Sequence, residues 1–459
     1  MSSCNPKNVL RLAIACFCGL AIFPVTANTQ NPIIQTIFTA DPAPLVHNDT
    51  VWLYTGHDED SSTWFTMKDW RLFSTTDMVN WTHHGAPLSV KSFSWAQKDA
   101  WAGQCIFRNG KFYWYVPINQ ANGRGMAIGV AVSARPDGPF SDPLGKPLVH
   151  SGNGDIDPTV YIDDDGQAYM YWGNPYLKYV KLNEDMISYS GEVITVPLNE
   201  RGFGKRTGDP KRSSQYEEGP WLYKRKDLYY LLYPAGGVPE HLAYSTSTSP
   251  TGPWQYRDTI MPVIRKGGAF TNHPGVIDYK GRSYFFYHNG ALPGGGGFTR
   301  SVCVEEFRYN RDGTIPRIPP TAEGVRPVGH LNPYTRVEAE TMAWQQGLET
   351  GTSSEAGTYV TAIDPGDYLK VRSVDFRKGA KTLEVNVAAR GNSGRIEIRL
   401  DSLSGPKLGT CTISDTGGQE YWTTQSTAVK KVKGIHDLYF VFKRGEGDLF
   451  HVDWWRFKG

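Results

Sequence analysis

Three carboxylates, Asp41, Asp157 and Glu218, each sit directly before a proline or a glycine-proline pair, just ahead of an aromatic-rich run. Breaking a glycosidic bond needs one carboxylic acid to protonate the leaving oxygen and a second carboxylate to activate water or attack directly. Asp41 and Glu218 are candidates for that pair. Asp157, placed nearby, would hold the acid in position and raise its pKa, since a neighbouring negative charge disfavours ionisation. Residues so distant in sequence meet only if the fold gathers them. A recurring unit provides the means: Asp41-Pro42, Trp101 to Gln104, Asp157-Pro158, Glu218-Gly219-Pro220 and His273-Pro274 each open a strand, a turn and a second strand. The spacing of roughly 55 to 60 residues is that expected of propeller blades, whose equivalent positions converge on one axis. A lone Asp-Pro is ordinary turn chemistry; recurrence at one structural position argues for a shared pocket.

Strand signals fill residues 33 to about 315, including Val51 to Tyr54, Lys111 to Val116, Ala127 to Val132, Ala168 to Trp172, Leu228 to Tyr233 and Ser283 to Tyr287. Arg108-Asn109-Gly110, Asp164-Asp165-Gly166 and Tyr279-Lys280-Gly281 read as hairpin turns within the units. The paired segments Ser133 to Phe140 and Ser247 to Trp254 look like the outer edges of two blades. A proline-rich stretch from Pro316 to Pro333 reads as a linker or a closing strand, and short alternating strands after Arg336 indicate a separate β-sandwich. The fold class is therefore all-β: a five-bladed β-propeller over 30–325, then a jelly-roll sandwich over 333–459.

Lys7 and Arg11 precede the apolar run Leu12 to Phe23, and small residues follow at Val25-Thr26-Ala27. Residues 1–27 read as a signal peptide, the run being shorter than the roughly 20 residues of a spanning helix, so a secreted protein, extracellular or periplasmic, is expected. With 48 basic and 46 acidic residues the chain has no excess charge for nucleic acid and no polybasic run for a membrane surface. Beyond the leader, Cys105, Cys303 and Cys411 form neither a metal signature nor a disulfide framework. Aromatics, 14 Trp and 25 Tyr among them, suit surfaces that stack on sugars; Trp101 and Phe270 are the candidates for an apolar platform in the pocket.

The motifs Thr39-Ala40-Asp41-Pro42-Ala43-Pro44, Asp155-Ile156-Asp157-Pro158, Tyr216-Glu217-Glu218-Gly219-Pro220-Trp221 and Asn272-His273-Pro274-Gly275 resemble glycoside hydrolase family 43. The resemblance implies an inverting five-bladed propeller enzyme with Asp41 as general base, Asp157 as pKa modulator and Glu218 as general acid. Glu217 is the rival for the acid, disfavoured because strand alternation points it the other way. It further implies that Arg300 contacts the sugar and the acid, and that His288 lies beside an axial calcium ion or water cluster, held mainly through water. His273 reads as a core histidine, with service in the same pocket as the alternative.

Residues 336–459 resemble a family 6 carbohydrate-binding module, through Val337-Glu338-Ala339-Glu340, Gly366-Asp367-Tyr368-Leu369 and Val452-Asp453-Trp454. That resemblance implies a structural calcium on Glu338, Glu340 and Asp453, and sugar stacking on Tyr359 and Trp422; His451 and Gln419 depart from the pattern. No organic cofactor is expected. Within family 43, Trp101-Ala102-Gly103-Gln104, Arg300-Ser301-Val302 and the appended module most resemble the arabinoxylan arabinofuranohydrolases. The expected activity is release of α-L-arabinofuranosyl branches from arabinoxylan by a monomer. The alternatives are a β-xylosidase or a xylan- or arabinan-cleaving relative, and a catalytically silent glycan-binding protein.

Overall fold

The structure, a computed structural model, describes residues 30–459 apart from positions 153, 378, 392, 393 and 446; the expected leader at 1–27 lies outside the described residues. Five antiparallel sheets follow one another along the chain. The first blade comprises Thr39–His47, Thr50–His57, Asp69–Thr75 and Trp81–His83, and the second Gln104–Arg108, Lys111–Gln120 and Met126–Ser133. The third comprises Thr159–Ile162, Ala168–Trp172, Lys178–Leu182 and Tyr189–Thr195, and the fourth Trp221–Arg225, Leu228–Ala235, His241–Ser247 and Gln255–Met261. The fifth has Gly275–Tyr279, Arg282–Asn289 and Ser301–Phe307. Middle strands such as Ala168–Trp172 are buried along their whole length, because each blade is covered on both faces. The apolar clusters accordingly lie between blades: Val51, Leu53 and Phe73 of the first pack on Phe286, Val302 and Val304 of the fifth. Among the described residues only Glu200–Phe203 is α-helical, and no described helix is long and apolar enough to cross a membrane.

Tyrosine hydroxyls tie each blade to the next in a repeating way. Tyr54 donates to Pro136 O at 3.0 Å, Tyr115 to Met186 O at 2.7 Å and Tyr171 to Pro250 O at 2.7 Å. Tyr230 donates to Gly313 O at 2.7 Å, and Tyr279 closes the circle on Thr76 O at 2.9 Å. In every case the acceptor carbonyl lies in the loop that follows the third strand of the next blade. An aromatic ring fills the apolar space between two sheets while its hydroxyl satisfies a loop carbonyl that would otherwise be desolvated there. The paired segments at 133–140 and 247–254, expected at blade edges, supply two of these carbonyls.

The ring is closed by the amino-terminal segment rather than by the proline-rich stretch. Ile33 N–H bonds Val302 O, and the Asn31 amide donates to Val304 O at 3.1 Å while accepting from Val304 N at 3.0 Å. Asn31 thus imitates one backbone pair along the outer strand of the fifth blade. The proline-rich stretch instead runs over the rim, with Ile318 N bonded to Ile260 O and Val328 N to Asp77 O.

Two facing sheets form the second domain. One contains Glu349–Ser353, Gly357–Thr361, His451–Lys458, Ala380–Ala389 and Gly418–Val432, the other Trp344–Gln346, Tyr368–Asp375, Ile435–Lys443, Gly394–Leu400 and Lys407–Ile413. A dry core of Val371, Leu383, Phe440, Trp455 and their neighbours fills the space between. The sandwich is joined to the propeller by a shared sheet: Thr341–Met342 pairs with Trp81–His83 as an added outer strand of the first blade. Asn80 and Arg372 exchange two amide hydrogen bonds of 2.8 Å across the junction. Cys105, Cys303 and Cys411 are buried free thiols.

Removing one latch hydroxyl should cost the net worth of one hydrogen bond, about 0.5–1.5 kcal/mol. Tyr115→Phe and Tyr171→Phe, at different junctions, should each lower the urea midpoint of the propeller, and their double variant should lose about the sum. Unchanged midpoints would mean that the carbonyls are solvated equally well without the tyrosines.

Candidate active site

The five unit openings meet at one end of the propeller axis, where Asp41, Asp157, Glu218, Arg300, Asn174 and His273 line a pocket of 230 Å³ walled by Trp64, Phe65, Met67, Trp101, Ile156 and Thr271. Beneath it a narrow cavity follows the axis between Pro42, Gly103, Gln104, Pro158, Pro220 and Pro274. The backbone aims the acids. Asp41 and Asp157 occupy the left-handed region, with φ of 54° and 58°, which aspartate tolerates better than most residues. The ladder of the first strand shifts register between Ala40 and Ala43, and such a bulge turns the intervening side chain out of the sheet pattern. Gly219 also has positive φ, 50°. A Cβ there would come 3.0–3.1 Å from Pro234 and His273, so glycine lets the chain turn beside the imidazole while its N–H donates to Asp157 Oδ2 at 3.1 Å.

Asp41 is fixed from three sides. Arg300 Nη1 donates to its Oδ1 at 3.0 Å, His273 Nδ1 lies 3.5 Å from the same oxygen, and its backbone N–H donates to His288 Nδ1 at 3.2 Å. Arg300 is itself held by Asp58 through Nε and Nη2, each at 2.9 Å, and lies over the Phe65 ring, 5.1 Å from its centre. Glu218 receives Asn174 Nδ2 at 2.5 Å on one oxygen and faces His273 Nε2 at 3.4 Å with the other. Glu217 points away and pairs with Arg206 at 2.5 Å and with Arg212.

His273 is thus a bridge between the two candidate catalytic carboxylates and not a core histidine. Burial alone would lower its pKa, but Asp41, Asp157 and Glu218 raise it to about 10. Burial pushes Asp157 up to about 8, against the pull of His273, with Glu218 and Asp41 adding to the rise. Burial also favours the neutral form of Glu218, yet the hydrogen bond and charge of His273, then Asn174 and Arg300, bring its pKa below the ordinary glutamate value. Asp157 was expected to raise the acid; in the free site it is Asp157 whose pKa is raised, while that of Glu218 is lowered. Behind the site Glu240 accepts Asn272 N–H at 2.9 Å, and burial and the nearby Glu218 push its pKa well up.

Donor atoms of Asp157, Glu218 and His273 lie within 4.8 Å of one another. Each of the three is already engaged within the site: Asp157 accepts the Gly219 N–H, Glu218 accepts Asn174, and the two nitrogens of His273 face Asp41 and Glu218. His288 does not fit an ion-binding role either. Its Nε2–H donates to Thr271 O at 2.8 Å and its Nδ1 accepts from Asp41, while burial and Arg300 hold it neutral. Both nitrogens are engaged, and the ring orients Asp41.

Trp101 lines the pocket, its Nε1 donating to Phe65 O at 3.0 Å. Phe270 does not line it; the ring stands behind Phe65 and Phe298, at centroid distances of 6.0 and 4.9 Å. The wall residues Trp64, Phe65 and Met67, with Asp58 and Asn174, went unrecognised in the sequence because they sit in loops outside the recurring unit.

In the sandwich, Tyr359, Trp422 and His451 form a cluster. Tyr359 and Trp422 are 5.2 Å apart between centroids at 65°, closer than the roughly 7–8 Å that a sugar stacked between two rings needs at ordinary contact distances. His451 lies 5.0 Å from Tyr359 at 30° and is anchored by Gln419 O and Asp448. The three rings pack on each other and form no clamp. At the acidic corner Arg336 donates to Glu338 at 2.8 Å and to Asp453 at 3.1 Å. Glu340 Oε2 is buried without a donor, and burial first, then Glu338 and Asp453, push its pKa well up. An orphaned carboxylate oxygen beside two more carboxylates is chemistry that fits a hard cation.

Residues 29–315 match Glycosyl hydrolases family 43, and 338–459 match Carbohydrate binding module (family 6). The chain is 33% identical to an arabinoxylan arabinofuranohydrolase of Bacillus subtilis (strain 168), over 98% of each protein. It is 31% identical to xylosidase/arabinosidase 43A of Humicola insolens, over 62% of this chain and 98% of that protein. A crystal structure of a family 43 arabinoxylan arabinofuranohydrolase from Bacillus subtilis, in complex with cellotetraose, superposes with a TM-score of 0.80 at 32% identity, covering 94% of this chain and 98% of that one. With this breadth of similarity around a pocket that holds three axial carboxylates, the chain belongs to glycoside hydrolase family 43 and carries a carboxy-terminal carbohydrate-binding module of family 6.

Proposed function

We propose that this glycoside hydrolase is a secreted enzyme that removes single α-L-arabinofuranosyl branches from arabinoxylan by one displacement with inversion. The observation that carries the proposal is the pairing of Asp41 and Glu218 across His273 in a pocket of 230 Å³. That volume is below the roughly 300–1,000 Å³ typical of drug-sized ligands, so it suits one terminal sugar rather than a polymer passing through. Trp64, 60% exposed at the mouth, offers a face to the chain that carries the branch. The B. subtilis relative, similar over its whole length, supports arabinoxylan as the substrate. The H. insolens relative supports xylosidase action as the second reading, since it shares the propeller alone.

The two contacts of His273, 3.5 Å to Asp41 and 3.4 Å to Glu218, place the carboxylates about one imidazole and two contacts apart. This limits their separation to on the order of 9 Å, which accommodates the roughly 6.5–9.5 Å of inverting pairs. Asp41 takes a proton from water as the water oxygen bonds the anomeric carbon. The bond to the leaving oxygen breaks as Glu218 protonates it. Glu218 draws its proton from the store on Asp157 and His273, and after turnover His273 returns the proton gained by Asp41. In the sandwich, calcium would be held by Glu338, Glu340 and Asp453; when bound, it ties the first and last strands of the module together.

Proton NMR of arabinoxylan during the first minutes of hydrolysis should show arabinose appearing as the β-anomer. Release of xylose first would favour the second reading, and initial α-arabinose would exclude inversion. Glu218→Gln should lower kcat on arabinoxylan by about 10²–10⁴-fold. Much of this should return on an aryl arabinofuranoside whose leaving group needs no protonation, whereas Asp41→Asn should stay inactive on both; equal losses on both substrates would remove the acid role from Glu218.

Because Asp157 titrates at about 8 in the folded protein, kcat/KM should fall as pH rises through about 8 and the proton store empties. The folded pKa values of Asp157 and His273 are both raised, so the native state holds protons that the unfolded chain releases. Their stabilisation is complete below the unfolded values, about 4 and 6.5, and disappears as pH rises through about 8 and about 10. An activity profile flat to pH 9 would refute the store.

A further inference from the structure

The blade ends opposite the pocket carry a second concave surface. A groove of 820 Å³ between the fourth and fifth blades is lined by Arg225, Lys280, Arg282, Arg308 and Arg326, with Glu306 as its one carboxylate. Five cations against one anion is a marked local excess in a chain whose charges nearly balance, 48 to 46. Two of the cations have partners: Arg282 meets Glu306 at 3.0 Å and Lys280 meets Asp49 at 3.3 Å. Arg225, Arg308 and Arg326 have no carboxylate within ion-pair distance among the described residues. Arg225 is held flat, its guanidinium 3.9 Å over the Tyr309 ring, and Tyr309 is fixed in turn by a 2.8 Å hydrogen bond to the Tyr223 hydroxyl. Part of the groove is therefore built and pre-oriented, with guanidinium edges free to bind.

We infer that this groove is a second glycan site, specific for polysaccharide that carries carboxylates, such as uronic acid branches. A guanidinium presents a planar fork that matches a carboxylate with two parallel hydrogen bonds, and an arginine-tyrosine floor suits an amphipathic sugar chain better than a highly charged duplex. The near-zero net charge of the whole chain gives no long-range field for a polyphosphate. The choice of polysaccharide rests on the proposed function; the choice of anion rests on the groove alone. Arg225 lies seven residues along the fourth blade from Glu218, on the order of 20 Å of near-extended chain. The groove can hold an acidic polymer while the pocket trims a neutral branch.

The test is gel retardation of the full mature protein in glucuronoxylan and in the same polymer after its carboxyls have been reduced to alcohols. Retardation should occur in the first, vanish in the second and fade between 20 mM and 500 mM salt, where screening shortens to a few ångströms. Arg308→Glu/Arg326→Glu should weaken retardation about tenfold or more while leaving turnover of an aryl arabinofuranoside and the urea midpoint unchanged. Equal retardation by the reduced polymer, or none lost in the double variant, would overturn the inference. Tighter binding to duplex DNA than to glucuronoxylan would make the groove a nucleic-acid surface instead. Because retardation needs no turnover, failure to release arabinose would refute the proposed function without touching this result.

Discussion

Everything at the axis depends on keeping a buried group of charges in balance. Asp41, Asp157, Glu218, His273 and Arg300 are brought together in one small pocket, with Asp58 fully buried behind it. An isolated buried charge costs several kcal/mol, so none of them is stable there except through the others. Arg300 is shared by Asp41 and Asp58, and His273 by Asp41 and Glu218. Burial pushes the pKa of Asp157 up, whereas at Glu218 the hydrogen bond and charge of His273 outweigh burial and bring it down, so one pocket drives its carboxyls in opposite directions. The same balance explains why a glutamate meant to act as an acid can have a depressed pKa in the free pocket. Its resting state is set by an imidazolium that a bound sugar and a developing oxyanion would disturb.

Such a group needs a frame that does not yield. Each acid stands at the start of an innermost strand, and each strand is gripped between neighbouring blades by buried rings whose hydroxyls reach the next blade. A ring of blades has one seam, and Asn31 and Ile33 close it along Ser301–Phe307, the strand that directly follows Arg300. The closure and the catalytic cation are therefore adjacent in sequence and in space. The sandwich adds Thr341–Met342 to the outer edge of the first blade, the blade that supplies Asp41, Asp58 and the loop of the pocket wall. Through this pairing the module directly buttresses the blade that carries Asp41.

What was legible in the sequence was whatever repeats. The unit with its acid-proline opening gave the blades, their order and the convergence of Asp41, Asp157 and Glu218, because a periodic signal reports a periodic fold. Glu217 and Glu218 do take different partners, but both precede the strand Trp221–Arg225, so strand alternation is not what separates them. His273 was misread because a histidine at an opening looks the same whether it fills a core or joins two acids; only the other four openings, seen in space, decide. Phe270 was misread since an aromatic near the axis can line the pocket or stand behind another ring, and Phe65 from an irregular loop took the front position. His288 was placed beside an ion because its axial position was evident and its two hydrogen-bond partners, Thr271 O and the Asp41 N–H, were not.

The loop from Asp58 to Met67 carries a coupling between selectivity and catalysis. Asp58 orients Arg300, which orients Asp41; Phe65 lies under the same guanidinium and Met67 Sδ is 3.4 Å from its Nη2. Trp64 and Phe65 also form the wall that a sugar ring must fit. A change of wall shape therefore moves the cation that holds the base. Any substitution that reshapes this wall bears on whether Arg300 stays within hydrogen-bond reach of Asp41. Arg300 is where the wall loop and the axial carboxylates meet, through Asp58 and Phe65 on one side and Asp41 on the other.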